Sequence, residues 1–266
     1  MPGPVELLDA RRIRQGLDPV VAATLSELEI FFRIASTNDH LKSARGVQGR
    51  AALAEIQTAG RGRRGSRWIS PPCNSMCLSV GWRFDPPPES LMLLSLLSGA
   101  AMLRALQNCG VAGVSVKWPN DLVRDGKKLG GILIESSGQV AGPIDVVLGV
   151  GINVRLPGEA LAEIDQPATD LAGPDGSTPS RNRLAAEALN ALVKMLLASA
   201  AGAHAPYLDE WRKHDAGRGK NGCLRLPGRE IRGRIVDIDP SGMLIMRVDG
   251  RMRKFSSGEL SLRIAS

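Results

Sequence analysis

The sequence predicts a mixed α+β domain at residues 1–217, followed by a small β-barrel at residues 218–266. Up to His214, apolar segments of strand length alternate irregularly with helical ones. Beyond it, Gly217, Gly219 and Gly222 mark a linker, and only short strands separated by turns follow. The chain has 266 residues, of which 43% are hydrophobic. It can therefore bury the core of one large and one small domain.

The first domain is predicted to mix strands and helices without a regular alternation. An apolar segment at residues 28–34 follows a partly charged leader. The predicted strands, apolar and bounded by Gly, Pro or Asp, lie at residues 51–57, 75–84, 114–117, 122–124, 128–135 and 145–154. The predicted helices lie at about residues 91–108, 181–198 and 206–214, with a polar loop at residues 156–180.

The second domain is predicted to contain strands alone. They lie at residues 223–226, 231–238, 244–248 and 251–255. Asp249-Gly250 between the last two is a strong signal for a tight hairpin. Four or five strands in about 48 residues indicate a barrel.

The composition restricts the kinds of binding partner and the cellular compartment that we expect. A net charge of +7 favours an anionic partner, but cannot distinguish a nucleotide from nucleic acid or an acidic protein. The four cysteines form no C-x-x-C pair, so reduced thiols are favoured over a zinc site. The apolar stretch at residues 91–106 is interrupted by polar residues and falls short of a membrane span. We expect a cytoplasmic protein that does not cross a membrane.

A basic glycine loop runs from Gly60 to Arg67 and matches the spacing G-x-G-x-x-G. That dinucleotide fingerprint requires a helix to begin inside it, and Pro71-Pro72 prevents one. The segment is instead expected to be a mobile loop whose four arginines can bind phosphate or carboxylate oxygens. A solvated loop and an RNA-binding segment remain alternatives.

A hairpin is predicted around Asp125-Gly126. If these two residues form the turn, Val123 faces Lys128 and Asp121 faces Gly130. Asp121, Val123, Lys128 and Gly130 then share one face, and Asp121 and Lys128 are diagonal neighbours. This arrangement offers a cation for phosphate or carboxylate and an anion that could hold magnesium. An ordinary surface hairpin is the alternative.

Two further segments carry weaker signals. Gly149-Val-Gly-Ile-Asn153 ends an apolar strand, where glycine allows a ligand or another backbone to approach closely. The amide of Asn153 could read an adenine edge. Glycines that only allow close packing within the protein are at least as common in strands as glycines that face a ligand. Ser36-Thr37-Asn38 is most simply explained as the cap of a helix that begins near Asp39.

Together and in order, these segments resemble the biotin–protein ligase family. The resemblance extends from about residue 28 to the end and includes the final run Gly258-Glu-Leu-Ser-Leu-Arg263. The ordered set is far more specific than any one motif. Its members are Ser36-Thr-Asn38, Gln57-x-Ala-Gly-Arg-Gly-Arg-Arg-Gly65, Lys117-Trp-Pro-Asn-Asp121, Lys128-Leu-Gly-Gly-Ile-Leu-Ile-Glu135 and Gly149-Val-Gly-Ile-Asn153.

The resemblance implies a catalytic domain related to class II aminoacyl-tRNA synthetases and an SH3-like terminal barrel. It implies a biotin site formed by Ser36, Thr37, Asn38, Gln57, Arg61, Gly62, Arg63 and Lys128. It implies an ATP and adenylate site formed by Asn120, Asp121, Asn153, Lys117, Gly60 and Gly65. Lys128, Arg63 and Arg61 would be the catalytic residues, and Asp121 a candidate Mg²⁺ ligand.

The sequence departs from bifunctional members of that family in two ways. Only 35 residues precede Ser36, too few for their DNA-binding domain, so we expect no DNA partner and no repressor role. The loop from Arg155 to Gly176 lacks the tryptophan that stacks on the adenylate in some relatives. What covers the adenine is therefore left open.

The implied activity is ATP-dependent formation of biotinyl-adenylate and transfer of biotin to a lysine of a biotin carboxyl carrier protein, as in acetyl-CoA carboxylase. Lys128 would stabilise negative charge in both steps. Biotin, ATP and Mg²⁺ would be required, and the protein would be a monomer or homodimer. A lipoate–protein ligase of the same fold and a basic nucleic-acid-binding module are the alternatives.

Overall fold

A seven-stranded mixed sheet is the centre of the larger part of the chain. The computed structural model describes residues 6–87, 91–138, 142–226, 228–257 and 261–264. The strands of this sheet are β1 (Glu27–Ile34), β2 (Arg50–Gln57), β3 (Ser75–Phe84), β4 (Val114–Lys117), β5 (Asp121–Arg124), β6 (Lys127–Gly138) and β7 (Ile144–Asn153). Their order is β1-β2-β3-β7-β6-β5-β4; β1 and β2 are parallel and every other pair is antiparallel.

Helices cover the sheet unevenly. They are α1 (Ala10–Gln15), α2 (Pro19–Thr24), α3 (Thr37–Ser43), α4 (Leu91–Asn108), α5 (Gly158–Ala162), α6 (Arg181–Ala200) and α7 (Ala205–Lys213). The apolar helices α4 and α6 pack against each other and the sheet and bury the main core. Helix α3 packs on β2, β3 and β7. The three longer helices that the sequence predicts are confirmed within a few residues.

Two segments are more regular than the sequence indicates. The charged leader contains α1 and α2, which pack on α6. The backbone amides of Asp9 and Asp18 donate hydrogen bonds to the side chains of Asn182 and Asn190 on that helix. The polar loop before α6 contains the short helix α5. Within the described ranges, no helix is long and apolar enough to cross a membrane.

The C-terminal part is a five-stranded antiparallel sheet, which confirms the predicted β domain. Its strands are β8 (Asn221–Leu226), β9 (Arg229–Ile238), β10 (Leu244–Val248), β11 (Arg251–Phe255) and β12 (Ser261–Ile264), in the order β11-β10-β9-β8-β12. Residues 258–260 of the predicted terminal motif lie outside the described residues. One hydrophobic cluster runs through both parts of the chain, so the domain boundary at residue 217 stays a prediction.

Candidate ligand-binding site

A cavity of about 770 Å³ lies against the central sheet, on the side where α3 packs. Its walls are the arginine loop, the β5–β6 hairpin, the end of β7, the segment at residues 163–168 and β12 of the C-terminal sheet. Of the residues predicted for the site, the structure brings together Ser36, Thr37, Asn38, Gln57, Arg61, Gly62, Arg63, Gly65, Lys117, Asn120, Asp121, Lys128 and Asn153. Gly60 does not line the cavity.

One end of the cavity is a network of small polar side chains. Ser36 caps α3 by accepting a hydrogen bond from the amide of Asp39, which confirms the predicted cap, although the helix begins at Thr37 rather than near Asp39. The amide and hydroxyl of Thr37 donate to Gln57 Oε1 at 2.8 and 3.0 Å. The Ser79 hydroxyl lies 2.7 Å from Thr37 Oγ1 and 2.6 Å from Asn38 Oδ1. These buried groups fix one another and can offer a ligand donors and acceptors in set directions.

Asn38 reaches this position because Gly149 has no side chain. A Cβ at Gly149 would lie 2.3 Å from Asn38 Oδ1, and a Cβ at Gly151 would lie 2.4 Å from the Trp68 indole. Gly149 and Gly151 therefore leave room for the side chains of Asn38 and Trp68 to pack against β7. This is the packed-glycine alternative left open by the sequence.

Glu135 on β6 lies behind this network. Its carboxylate accepts from Asn38 Nδ2 at 2.9 Å and pairs with Lys42 at 2.8 Å and Arg61 at 3.3 Å. Burial acts to raise the pKa of Glu135, but the contacts with Lys42, Asn38 and Arg61 outweigh it and hold the pKa below its ordinary value. The carboxylate thus stays ionised at neutral pH.

Two ammonium groups converge on one carboxylate at the other end of the cavity. Lys117 Nζ and Lys128 Nζ each lie 2.8 Å from an oxygen of Asp121, and all three side chains are largely buried. Burial would raise the pKa of Asp121, but Lys128 and Lys117 lower it further than burial raises it. The cluster carries a net positive charge beside the cavity, which suits phosphate or carboxylate oxygens.

The predicted hairpin register is wrong beyond its first two pairs. Val123 pairs with Lys128 as expected, but a β-bulge shifts the strands, so that Leu122 pairs with Gly130 and Asp121 with Gly131. The extra residue is Leu129, whose side chain is fully buried. Gly130 therefore faces Ile152 and Leu122, and Gly131 is the glycine that leaves room on the Lys128 face. The predicted proximity of Asp121 and Lys128 is confirmed.

Asp121 does not fit the role of a resident Mg²⁺ ligand. Each of its oxygens contacts an ammonium group, so a divalent cation bound there would face two like charges. Across the described part of the chain, no group of three or more His, Cys, Asp or Glu side chains is placed to hold a metal ion.

The arginine loop folds over the cavity as a hairpin-like flap at residues 60–68. The amide of Trp68 donates to Gly60 O and that of Gly62 to Ser66 O. At the tip, Arg64 and Gly65 have φ angles of 57° and 73°. Arg63 lies 3.4 Å from Asn120 Oδ1 and also donates to the carbonyl of Ser257, in the C-terminal part. Burial lowers the pKa of Arg63, with a smaller effect of Arg64, although the group remains protonated at neutral pH.

The segment at residues 163–168, continued by Thr169, closes the remaining side of the cavity. Its backbone pairs with Lys128, through Lys128 N to Pro167 O and Thr169 N to Lys128 O, both at 2.9 Å. The side-chain Nδ2 of Asn153 donates to Thr169 O at 3.0 Å. Gln166 accepts a hydrogen bond from Arg263 on β12. The C-terminal sheet thereby supports the wall of the cavity.

Several residues of the site carry no signal that identified them from sequence. Ser79 lies between Leu78 and Val80 in a largely apolar strand, and the structure buries it fully. Trp68 follows the arginine loop directly, and its buried indole nitrogen has no hydrogen-bond partner among the described residues. Glu135 and Arg263 lie within the motifs of the family resemblance, but neither residue was predicted to belong to the site.

Comparisons with known proteins agree with this geometry. Residues 30–153 match the biotin/lipoate A/B protein ligase family, and residues 223–263 match the biotin protein ligase C-terminal domain. The bifunctional ligase/repressor BirA of Salmonella typhimurium is 37% identical over 100% of this chain and 81% of its own length. The biotin–[acetyl-CoA-carboxylase] ligase of Mycobacterium tuberculosis is 35% identical over 95% of each chain.

Solved structures of biotin protein ligases resemble this chain as well. The biotin protein ligase of Aquifex aeolicus in complex with biotin and ATP has a TM-score of 0.79 and 27% identity, over 91% of this chain and 100% of that one. The apo structure from the same organism has a TM-score of 0.74. At 24% identity the latter supports the fold alone.

Proposed function

Since the chain belongs to the biotin protein ligase family, we propose that its cavity activates biotin with ATP and transfers the biotinyl group to a lysine of a carboxylase's biotin carrier domain. The proposal rests on the chemical difference between the two ends of the cavity. A fixed network of neutral polar groups faces two buried ammonium groups across the sheet. Such a site suits a ligand with a neutral polar head and an anionic reacting end.

The neutral end is proposed to bind the ureido ring of biotin, which both donates and accepts hydrogen bonds. Ser36, Thr37, Asn38 and Gln57 supply the matching groups, with Ser79 fixing two of them. Arg61, Gly62 and Arg63 cover the ligand from the flap. Lys128 then lies near the carboxylate of the valeryl chain.

The reaction is proposed to proceed in two displacements. The biotin carboxylate attacks the α-phosphorus of ATP, and pyrophosphate leaves. The carrier lysine then attacks the acyl carbon of biotinyl-adenylate, an amide forms, and AMP leaves with release of a proton. Both steps increase negative charge on phosphate oxygens, which Lys128 and Lys117 stabilise and which the closed flap shields from water.

The adenylate end is proposed to involve Asn120, Asp121, Asn153, Lys117 and Gly65. Asn153 is held by Thr169 through one N–H, which leaves a second N–H and the carbonyl oxygen for an adenine edge. Gly60 acts at the base of the flap instead, because a Cβ there would lie 2.8 Å from Trp68 O. Mg²⁺ is proposed to arrive with the triphosphate of ATP, since Asp121 is occupied by two lysines.

The alternatives lose support. The similar proteins are a biotin–[acetyl-CoA-carboxylase] ligase and bifunctional ligase/repressor BirA proteins, which does not favour lipoate. Arg64 and Arg67 are exposed, as an RNA-binding loop would require, but Arg61 and Arg63 contact groups of the protein itself: Asp39, Glu135, Asn120 and Ser257. Acetyl-CoA carboxylase is proposed as the source of the carrier domain, and the assembly as a monomer or homodimer.

The test is direct. The protein is mixed with ATP, Mg²⁺, radiolabelled biotin and a purified biotin carrier domain, with labelled lipoate in a parallel reaction. We expect label on the carrier in the biotin reaction and pyrophosphate released in step with it. Label from lipoate alone, or none on the carrier in either reaction, would refute the proposed function.

A further inference from the structure

Two carboxylates outside the cavity form ion pairs with Arg61 of the flap. Asp39 lies in the first turn of α3 and Glu135 in β6, and both contact the same Nη2 atom of Arg61. We refer to Asp39 and Glu135 as the acidic clasp. The guanidinium end of Arg61 is therefore directed at the clasp. Three segments far apart in sequence, the flap, α3 and β6, meet at one charged group.

Glu135 also contacts the polar end of the cavity. Its Oε2 accepts a hydrogen bond from Asn38 at 2.9 Å, and its Oε1 accepts one from Lys42 at 2.8 Å as well as contacting Arg61. Its side chain is 18% exposed, so these interactions are less screened than those of a surface pair. A movement of Arg61 away from Glu135 would change the electrostatic surroundings of Asn38. Flap position and the polar network are thereby linked.

Resting on the proposed function, we propose that Asp39 and Glu135 are positioning residues that hold the flap closed over the adenylate through Arg61 and couple its closure to the orientation of Asn38. Neither carboxylate lines the cavity. Their effect passes through Arg61 and Asn38. Opening of the clasp frees the base of the flap, exposes the mixed anhydride to water and loosens the polar end in the same movement.

Hydrogen exchange of the ligand-free protein tests the clasp without any reaction. The flap amides of Gly62 and Trp68 are hydrogen-bonded within the flap. In Asp39→Asn, exchange of the peptide that contains residues 60–68 should rise about two- to fivefold, as expected for loss of one partly exposed ion pair. In Glu135→Gln it should rise about tenfold, because interactions with Arg61 and Lys42 are weakened together. Asp39→Glu, which keeps the charge, should restore slow exchange.

Asp145→Asn is the matched control. Asp145 forms an aspartate–arginine pair with Arg83 at 3.1 Å, at the opposite end of the β3–β7 pairing from the cavity. Hydrogen exchange of the flap in Asp145→Asn should equal that of the unmodified protein. Flap exchange in Asp39→Asn that is no faster than in Asp145→Asn would overturn the proposal, whether or not the protein ligates biotin.

A kinetic measurement separates positioning from a general loss of structure. With the clasp weakened, preformed biotinyl-adenylate should leave the enzyme about two- to fivefold faster in Asp39→Asn, and KM for biotin should rise while kcat for adenylate formation changes less than twofold. A fall in kcat with unchanged adenylate release would contradict the clasp. Failure of the unmodified protein to form adenylate would instead refute the proposed function and leave the exchange result to decide the clasp.

Discussion

Lys127 and Lys128 are neighbours in one hairpin but have different surroundings. Lys127 is exposed, whereas Lys128 reaches into the cavity and contacts Asp121. We expect Lys128→Ala to lower the rate of adenylate formation by roughly 10²–10³, the usual effect of removing one group that stabilises developing charge. Pyrophosphate exchange measures this step. Lys127→Ala is the control and should retain full activity. Unchanged adenylate formation in Lys128→Ala would exclude its assigned role.

Gly149 leaves the space that the Asn38 side chain occupies. An added Cβ would collide with the end of the Asn38 side chain, which can rotate away more easily than the backbone can move. Gly149→Ala should therefore raise the Kd for biotin about tenfold or more, because Asn38 loses its bonding arrangement. Isothermal titration with biotin measures this. Gly158→Ala has open space around its Cβ and serves as the control. Biotin binding equal in both variants would contradict the role of Asn38.

Sequence reasoning was most successful for residues within compact motifs. Asp121 and Lys128 were predicted from their chemistry and local spacing, whereas Thr37 was predicted from the family resemblance alone. Ser79 and Glu135 were not predicted as functional, because their importance comes from partners 41 to 97 positions away. No periodicity within one element reveals such a contact. Only the order of strands in the sheet brings these residues to Asn38.

At the scale of elements, the flap shows contacts that its sequence does not reveal. Its glycines were expected to provide flexibility. The folded loop also has internal hydrogen bonds, and its arginines contact α3, β6, Asn120 before β5, and the C-terminal part. Most of these contacts join residues more than 50 positions apart. The residues of the loop thus indicate its charge, but not which distant residues its arginines contact.

Arg63→Gly tests the closed flap. Removal of the guanidinium breaks the contacts with Asn120 and Ser257, and a second glycine beside Gly62 makes the loop more flexible. We expect biotinyl-adenylate to escape about tenfold faster and to label lysines of a bystander protein such as albumin. Arg67→Gly, whose side chain is 72% exposed, is the control. Adenylate retention in Arg63→Gly equal to that of the control would contradict the function of the flap as a lid.

The hairpin shows where local rules stop being sufficient. Asp125-Gly126 predicts the turn correctly, and the first two pairs follow from it. The register then shifts because the apolar Leu129 is buried in the core, and a β-bulge lets it do so while Lys128 still faces the cavity. Packing of the whole domain therefore decides the position of the glycines, and a two-strand argument cannot include it.

At the scale of the molecule, the C-terminal sheet is part of the site. The Trp118 indole, which is fully buried, donates to Gly242 O at 3.0 Å, and Arg263 reaches Gln166 in the cavity wall. Composition predicted a separate small domain, but not that it would complete the cavity. Such contacts join residues up to 194 positions apart, as between Arg63 and Ser257. They couple the integrity of the cavity to the docking of the two parts.

Asp215 lies at the junction of these parts and makes the stability of the whole molecule depend on pH. Its neighbour Ala216 donates to Val116 O on β4, while Gly217 donates to the Asp215 carboxylate at 2.9 Å. Burial raises the pKa of Asp215 to about 6 from 3.8, and Asp237 adds to the shift. The hydrogen bond from Gly217 and the charges of Arg218 and Lys220 oppose it.

The sign of the pH effect follows from this raised pKa. Below about pH 4 the group is protonated in both the folded and unfolded chain, and its contribution is most favourable. As the pH rises to about 6 the unfolded chain ionises first, so stability is lost across that interval and changes little above it. Asp215→Asn stays neutral and can keep the hydrogen bond from Gly217. Its free energy of unfolding should exceed that of the unmodified protein by about 1–3 kcal/mol at pH 7.5.

Urea unfolding at several pH values measures this difference. The gain from Asp215→Asn should shrink steadily below about pH 6 and vanish near pH 4, because the unmodified carboxyl is then neutral as well. Asp249→Asn, in an exposed turn, should show no such pattern. A gain that is the same at pH 7.5 and pH 4 would mean that packing or hydrogen bonding, and not ionisation of the junction carboxylate, limits the stability of the docked molecule.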